Sequence, residues 1–234
     1  MSMALGPSTP HLVTLVRAPA RRPILVTFDG PKGTGKTTLL DGVLRLIPAQ
    51  MEVVHLVEKS LDPHRLEIRA LLETHRGRMT PAIDLEIASL MVQGRAWISR
   101  EILDRSRARL ILMERWIASE AAFRMQIPFE NCLELNRHGE VREPELVVAV
   151  VCEPDEAWRR AHARPSGLGS QIITSLAGHR TSCERFETAA NRHGWWTVQT
   201  DGHPEIAISI VAQAILAIIE RMIEEDVAPG EPKA

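Results

Sequence analysis

FDGPKGTGKTT occupies residues 28–38, and the rest of the chain can be read outward from it. Gly30, four intervening residues and then Gly35-Lys36-Thr37 satisfy the pattern GxxxxGK[ST] without exception. Ile24-Leu-Val-Thr-Phe28, just before it, is a nearly continuous apolar run, as expected of a buried parallel strand. A helix is expected after it, from about Lys36 to Leu46. In that setting the glycines leave the backbone bare, so successive N–H groups can turn inward around phosphate oxygens. The following helix adds its positive N-terminal end. Gly30, Pro31, Lys32, Gly33, Thr34, Gly35, Lys36, Thr37 and Thr38 are therefore the expected ATP-binding residues. Lys36 would reach the β- and γ-phosphates, and the Thr37 hydroxyl would ligate Mg²⁺. Lysine occurs only at 32, 36, 59 and 233, so half of the chain's lysines lie in this one loop.

Strand and helix patterns alternate on either side. Strands are expected at Glu52–Val57, Leu110–Met113, Glu145–Val151 and Trp195–Thr200. Helices are expected at His64–His75, from Pro81 to about Arg105, at Ile117–Met125, Glu156–Arg164, Cys183–His193 and Glu205–Ile223. Residues 165–180, with Pro, Gly and Ser and little periodicity, read as a mobile loop. The alternation predicts an α/β protein: a five-stranded parallel sheet flanked by helices in three layers, with right-handed crossovers. Residues 22–224 make one domain with a lid over about 164–182, between a loose leader at 1–21 and a polar tail at 225–234.

Composition narrows the function classes. Across 234 residues, 44% apolar and 25% charged residues are ordinary for a globular domain, which needs neither disulfides nor a structural metal to hold its core. A net charge of −2 gives no sign of a nucleic-acid or membrane partner. Cys132, Cys152 and Cys183 are scattered singly, without a CxxC pair. No run of 18 apolar residues could span a bilayer, and the basic residues follow the short apolar patch at 12–16, the wrong order for a signal peptide. The expected compartment is the cytoplasm.

A second constellation ends the third strand: Met113-Glu114-Arg115-Trp116, with Ser119 and Ala122 after it. Open parallel sheets bind ligands at the carboxyl ends of their strands, so Glu114 and Arg115 are expected beside the phosphates. Glu114 could hold Mg²⁺ or take a proton, and Arg115 could clamp an acceptor phosphate. With these residues in place, the sequence resembles the thymidylate kinase family over roughly residues 22–220. That family's loop has the form F-E-G-x-x-G-x-G-K-T-T, and its third strand ends in Asp-Arg-Tyr. The resemblance implies a three-layer P-loop kinase fold with a lid, ATP as co-substrate, Mg²⁺, and a homodimer formed by helix packing. It implies phosphoryl transfer from ATP to a nucleoside monophosphate, dTMP or a related pyrimidine nucleotide. It also makes Asp29, Glu58, Met91, Arg95 and Arg115 acceptor-binding residues, with Arg95 on the base. Lys36, Glu114, Arg115 and the lid arginines Arg164 and Arg180 become catalytic, with Arg160 a further lid candidate.

Three positions depart from the family pattern. Lys32 stands where the family carries an acid, Val57-Glu58-Lys59-Ser60 replaces Arg-Glu-Pro-Gly, and Met91 replaces a stacking phenylalanine. Glu58 and Glu114-Arg115 also resemble deoxynucleoside kinases, in which a glutamate acts as base toward a 5′-hydroxyl. A deoxynucleoside or other small alcohol is therefore the alternative acceptor, and an ATP-binding regulatory protein without a small acceptor is a further alternative.

Overall fold

The computed structural model describes residues 22–165 and 169–227. The expected leader, the tip of the lid at 166–168 and the tail beyond 227 lie outside the described residues. Five parallel strands form one sheet: β1 Ile24–Asp29, β2 Val53–Val57, β3 Leu110–Glu114, β4 Leu146–Val151 and β5 Trp196–Gln199, in the order β2-β3-β1-β4-β5. The central strands are apolar on both faces because both faces are covered. Val26, Phe28, Leu110, Leu112, Val148 and Val150 pack on one side against α1 (Lys36–Leu46) and against Ile208, Val211 and Ile215 of the closing helix, Pro204–Val227. Leu25, Ile111, Met113, Ala149 and Val151 face the other side.

The intervening helices, numbered after α1, are α2 (Glu58–Leu61), α3 (Arg65–Thr74), α4 (Pro81–Ile98), α5 (Glu120–Phe123), α6 (Phe129–His138), α7 (Pro154–His162), α8 (Leu176–His193) and α9, the closing helix. Thr80 caps α4 by accepting the Ile83 amide, and Pro81 takes the first helical position, where it has no hydrogen bond to lose. The expected run to Arg105 ends as an α-helix at Ile98 and continues as a π-helical turn over Ser99–Leu103. Ile117–Ser119 is a 3₁₀ turn leading into the short α5, in place of one continuous helix.

Two further differences concern α6 and α8. No element was expected at α6. The expected loop at 165–180 stops at Ser175, whose hydroxyl accepts the Gly178 amide and starts α8 at Leu176. Residues 176–182, taken above as part of the lid, are therefore helical.

Register places the site. Phe28 and Val57 both lie opposite Glu114 on β3, so Asp29, Glu58 and Arg115 leave the sheet side by side at its carboxyl edge. The strand order reverses at this edge, which is where such sheets open a ligand crevice.

Candidate active site

The phosphate loop is shaped by close backbone contacts. Gly33 has φ +81°, and a Cβ there would lie 1.9 Å from the Ala157 carbonyl oxygen of α7. Gly30, at φ +150°, lies so near β4 that a Cβ would stand 2.3 Å from the Val150 carbonyl oxygen. Only glycine fits either position. Thr200, after β5, donates its hydroxyl to the Thr34 carbonyl at 2.8 Å and fixes the loop's far side.

Lys36 is only 4% exposed. Its Nζ folds into the loop and donates to the Pro31 carbonyl and to Thr34 Oγ1. Burial, with Arg115 adding to it, holds its pKa well below the usual lysine value; Glu114 and Asp29 oppose the shift. An ammonium stored against neutral oxygens in this way has much to gain from a phosphate dianion. Thr37 is exposed at the first turn of α1 and donates to Glu114 Oε1 at 3.1 Å. Two hard oxygens from different elements thus meet beside the loop, a donor set of the kind Mg²⁺ accepts together with phosphate and water. Among the described residues no three His, Cys, Asp or Glu side chains gather to hold a metal by themselves.

Arg115 follows β3 in a left-handed conformation, φ +70°, which costs a non-glycine residue about 1–2 kcal/mol. The turn aims its guanidinium back at the loop. Nη1 donates to the Gly30 carbonyl at 2.9 Å, and the group lies 4.7 Å from the centre of the Phe123 ring. Burial lowers its pKa. Asp29 supports this turn from below: one carboxylate oxygen accepts from the Trp116 amide at 2.8 Å, the Ser119 amide at 3.0 Å and the Ser119 hydroxyl at 2.6 Å. Its other oxygen is buried and accepts no hydrogen bond among the described residues.

The acceptor side is built differently from the sequence-based expectation. Arg95 is 1% exposed and Glu58 6%. Arg95 Nε pairs with Glu58, and Nη2 pairs with Glu120 at 2.9 Å. Glu120 also faces Arg124 at 3.3 Å, and Arg124 meets Asp84 at 3.0 Å. Asn136 of α6 adds a contact to Arg95 Nη1 at 3.4 Å. Burial opposes the Arg95 charge, and Glu58 and Glu120 outweigh it, so the guanidinium is held firmly protonated. Burial raises the Glu58 pKa, with Arg95 opposing. The base-contacting arginine implied by the resemblance is thus engaged in a buried row of charges. Met91, one turn earlier on α4, is half-buried.

Of the lid arginines, Arg164 is exposed just after α7 and contributes to the positive field on Lys32, Lys36 and Arg115. Arg180 turns instead onto Asp155, with two contacts of 2.8 and 2.7 Å. Arg160 is held by Glu156 and the Thr200 carbonyl. Sequence reasoning missed Glu120, Arg124, Asp84 and Asn136. The four-residue spacing of Glu120 and Arg124 was the one local signal for them.

Fold and site together define a P-loop kinase. A family model described as thymidylate kinase matches residues 28–209. The crystal structure of thymidylate kinase from Ehrlichia chaffeensis superposes with a TM-score of 0.55, covering 86% of this chain and 99% of that one; at 17% identity the likeness speaks to the fold. No curated protein matches the chain. The chain belongs to the thymidylate kinase family, whose activity is phosphoryl transfer from ATP to a nucleoside monophosphate. Among the described residues no helix is long and apolar enough to cross a membrane.

Proposed function

We propose that the acceptor is dTMP or a related pyrimidine nucleoside monophosphate, and that Mg²⁺ accompanies ATP. The observation that carries this reading is the charge around the loop. Lys32, Lys36, Lys59, Arg65, Arg115 and Arg164 crowd together, and the carboxylates that answer them include Glu114 and Asp29, with Glu58 acting on Arg115 and Asp62 on Arg65. A phosphate monoester carries about −1.5 to −2 at pH 7. A nucleotide acceptor beside ATP fits that excess, whereas a neutral nucleoside would leave part of it unbalanced. Glu58, the base that a hydroxyl acceptor would need, is spent on Arg95.

Thr37 and Glu114 would hold the Mg²⁺, which would help to neutralise the phosphate charge of ATP. The loop amides and Lys36 hold the β- and γ-phosphates, Arg115 orients the acceptor phosphate, and Arg164 supplies further charge from the lid. A phosphate acceptor is already deprotonated, so no side chain has to remove a proton. Positioning and electrostatics supply the rate.

ADP release from Mg-ATP, measured with a panel of nucleosides and nucleoside monophosphates at matched concentration, tests the reading. Stimulation by dTMP or a related monophosphate is expected. Stimulation by nucleosides alone would overturn it in favour of a hydroxyl acceptor. ATP binding with no stimulation by any member would leave the regulatory alternative.

A further inference from the structure

Arg115 would orient the acceptor phosphate, and its own aim is set by a residue with no exposed surface. The chain leaves β3 through Arg115 at φ +70°, a region that side chains other than glycine enter only when the surroundings hold them there. Asp29, at the end of β1, does the holding. One of its carboxylate oxygens takes three donors at once: the amides of Trp116 and Ser119 and the Ser119 hydroxyl. Trp116 and Ser119 are the start and the end of the 3₁₀ turn that follows Arg115, so the turn is pinned at both ends. The Ser119 hydroxyl is engaged on both sides. It donates to Asp29 at 2.6 Å, and it accepts from Arg115 Nη1 at 3.4 Å. Nη1 also donates to the carbonyl of Gly30, the residue next to Asp29. The contacts therefore close a ring from Asp29 through Ser119 and Arg115 to Gly30. Asp29 is 0% exposed and Ser119 2%, whereas Arg115 is half-buried and reaches the crevice. The resemblance makes Asp29 an acceptor-binding residue, but a carboxylate closed off in this way cannot meet an acceptor. Its influence has to pass through Arg115.

We propose that Asp29 is a positioning residue, which serves phosphoryl transfer by fixing, through Ser119, the turn that aims Arg115 at the acceptor phosphate. The inference rests on the nucleoside monophosphate reading above, in which Arg115 has that task. Without the carboxylate, two buried amides and a buried hydroxyl lose their acceptor. The left-handed residue can then relax toward the ordinary backbone regions, and its guanidinium leaves the Gly30 carbonyl. A reacting group displaced by about 1 Å can cost about 10²-fold in rate. Asp29 exchanges no proton and meets no substrate. What it contributes is an acceptor oxygen at one point, so an amide oxygen held at the same point can replace it and a methyl group cannot.

The test compares wild type with Asp29→Ala, Asp29→Asn, Ser119→Ala and Arg115→Ala, and combines each alanine change at 29 and 119 with Arg115→Ala. The kcat and KM are measured for the nucleotide that stimulates wild type most, and ATP affinity is measured without acceptor. Asp29→Ala should lose about 10²-fold in acceptor kcat/KM, with ATP affinity within about threefold. Ser119→Ala, which leaves the carboxylate and both amide bonds in place, should lose about 3–10-fold, and Asp29→Asn should lose no more than that. In the Arg115→Ala background the losses at 29 and 119 should disappear, because the side chain they aim is gone. Losses that multiply instead would overturn the proposal, since a general structural role would act with or without Arg115. So would an Asp29→Asn enzyme as slow as Asp29→Ala, or a loss that appears equally in ATP affinity. Should Asp29→Ala fail to fold, Ser119→Ala carries the same cycle. A crystal structure of Asp29→Ala reads the placement with no acceptor present: Arg115 should have left both its left-handed conformation and the Gly30 carbonyl, and an unmoved Arg115 would overturn the proposal. A wild type that no monophosphate stimulates would instead mark failure of the function reading, and that structure would still decide what Asp29 does to Arg115.

Discussion

Replacing Arg95 by methionine should cost the folded protein about 3–5 kcal/mol near neutral pH, the usual penalty for removing one partner of a buried ion pair. The structure puts the value in that range because the guanidinium answers two carboxylates, Glu58 and Glu120, neither of which can reach solvent. Arg124 would be left to offset Glu120 and Asp84. Methionine fills much of the vacated space, so the loss is one of charge more than of packing. In a domain of this size each kcal/mol moves Tm by about 2–4 °C, which predicts a fall of about 6–20 °C. Linkage gives a second signature. Burial already raises the Glu58 pKa, and Arg95 is its principal restraint. Without Arg95 the folded pKa climbs further above the unfolded value, so the folded variant binds the extra proton. Its stability is then lowest above that pKa and recovers as pH falls through it. Melts followed by circular dichroism from about pH 8 to about pH 5 read both effects. The deficit against wild type should shrink toward the acid end. A midpoint within about 2 °C of wild type near neutral pH, where at least 6 °C is expected, would refute the reasoning. So would a deficit indifferent to acid.

Other substitutions probe other parts of the site. Gly33→Ala sets a Cβ against the Ala157 carbonyl at a φ of +81°; it should cost about 1–3 kcal/mol of stability and weaken ATP binding in calorimetry by about tenfold or more, a drop of at least 1.4 kcal/mol. Normal ATP affinity would mean that the loop is not held as described. Glu58→Gln should lower kcat by less than about tenfold, because a missing general base would cost about 10²–10⁴-fold; a loss in the latter range would favour a hydroxyl acceptor. Glu114→Gln should raise the Mg²⁺ concentration for half-maximal rate several-fold, and an unchanged Mg²⁺ requirement would remove Glu114 from the metal's surroundings.

The five strands and the loop were legible because their signals are local: apolar runs of strand length, and glycines at fixed intervals before Lys36-Thr37. The helix at Leu176–His193 was only half legible. Its buried face uses His179, Ser182 and Cys183 before Phe186, so apolar periodicity is absent from its first two turns. Ser182 is there to donate to the Ala122 carbonyl at 2.7 Å, a partner 60 residues away. The helix at Phe129–His138 hid for the same reason, with Asn136 on its buried side. The row Glu58–Arg95–Glu120–Arg124–Asp84 could not be read at all. Each charge in isolation resembles a solvated surface residue, and only the folded chain brings positions 58, 84, 95, 120 and 124 together. Resemblance supplied Arg95 as a binding residue; the structure supplied what it is bound to.

The two glycine contacts of the phosphate loop act as a ruler. Gly30 is set against the carbonyl of Val150 and Gly33 against that of Ala157, so the loop is measured at two marks along a single stretch of the following strand and helix. Adding or removing a residue between those marks would shift one relative to the other, and the loop could then match only one of them. Length can vary without that penalty just beyond His162, where the chain leaves α7 and Ala163, Arg164 and Pro165 are exposed. Insertions and deletions among descendants of this sequence should therefore collect in the lid and avoid the segment from Val150 to Ala157, however variable its solvent-facing side chains become.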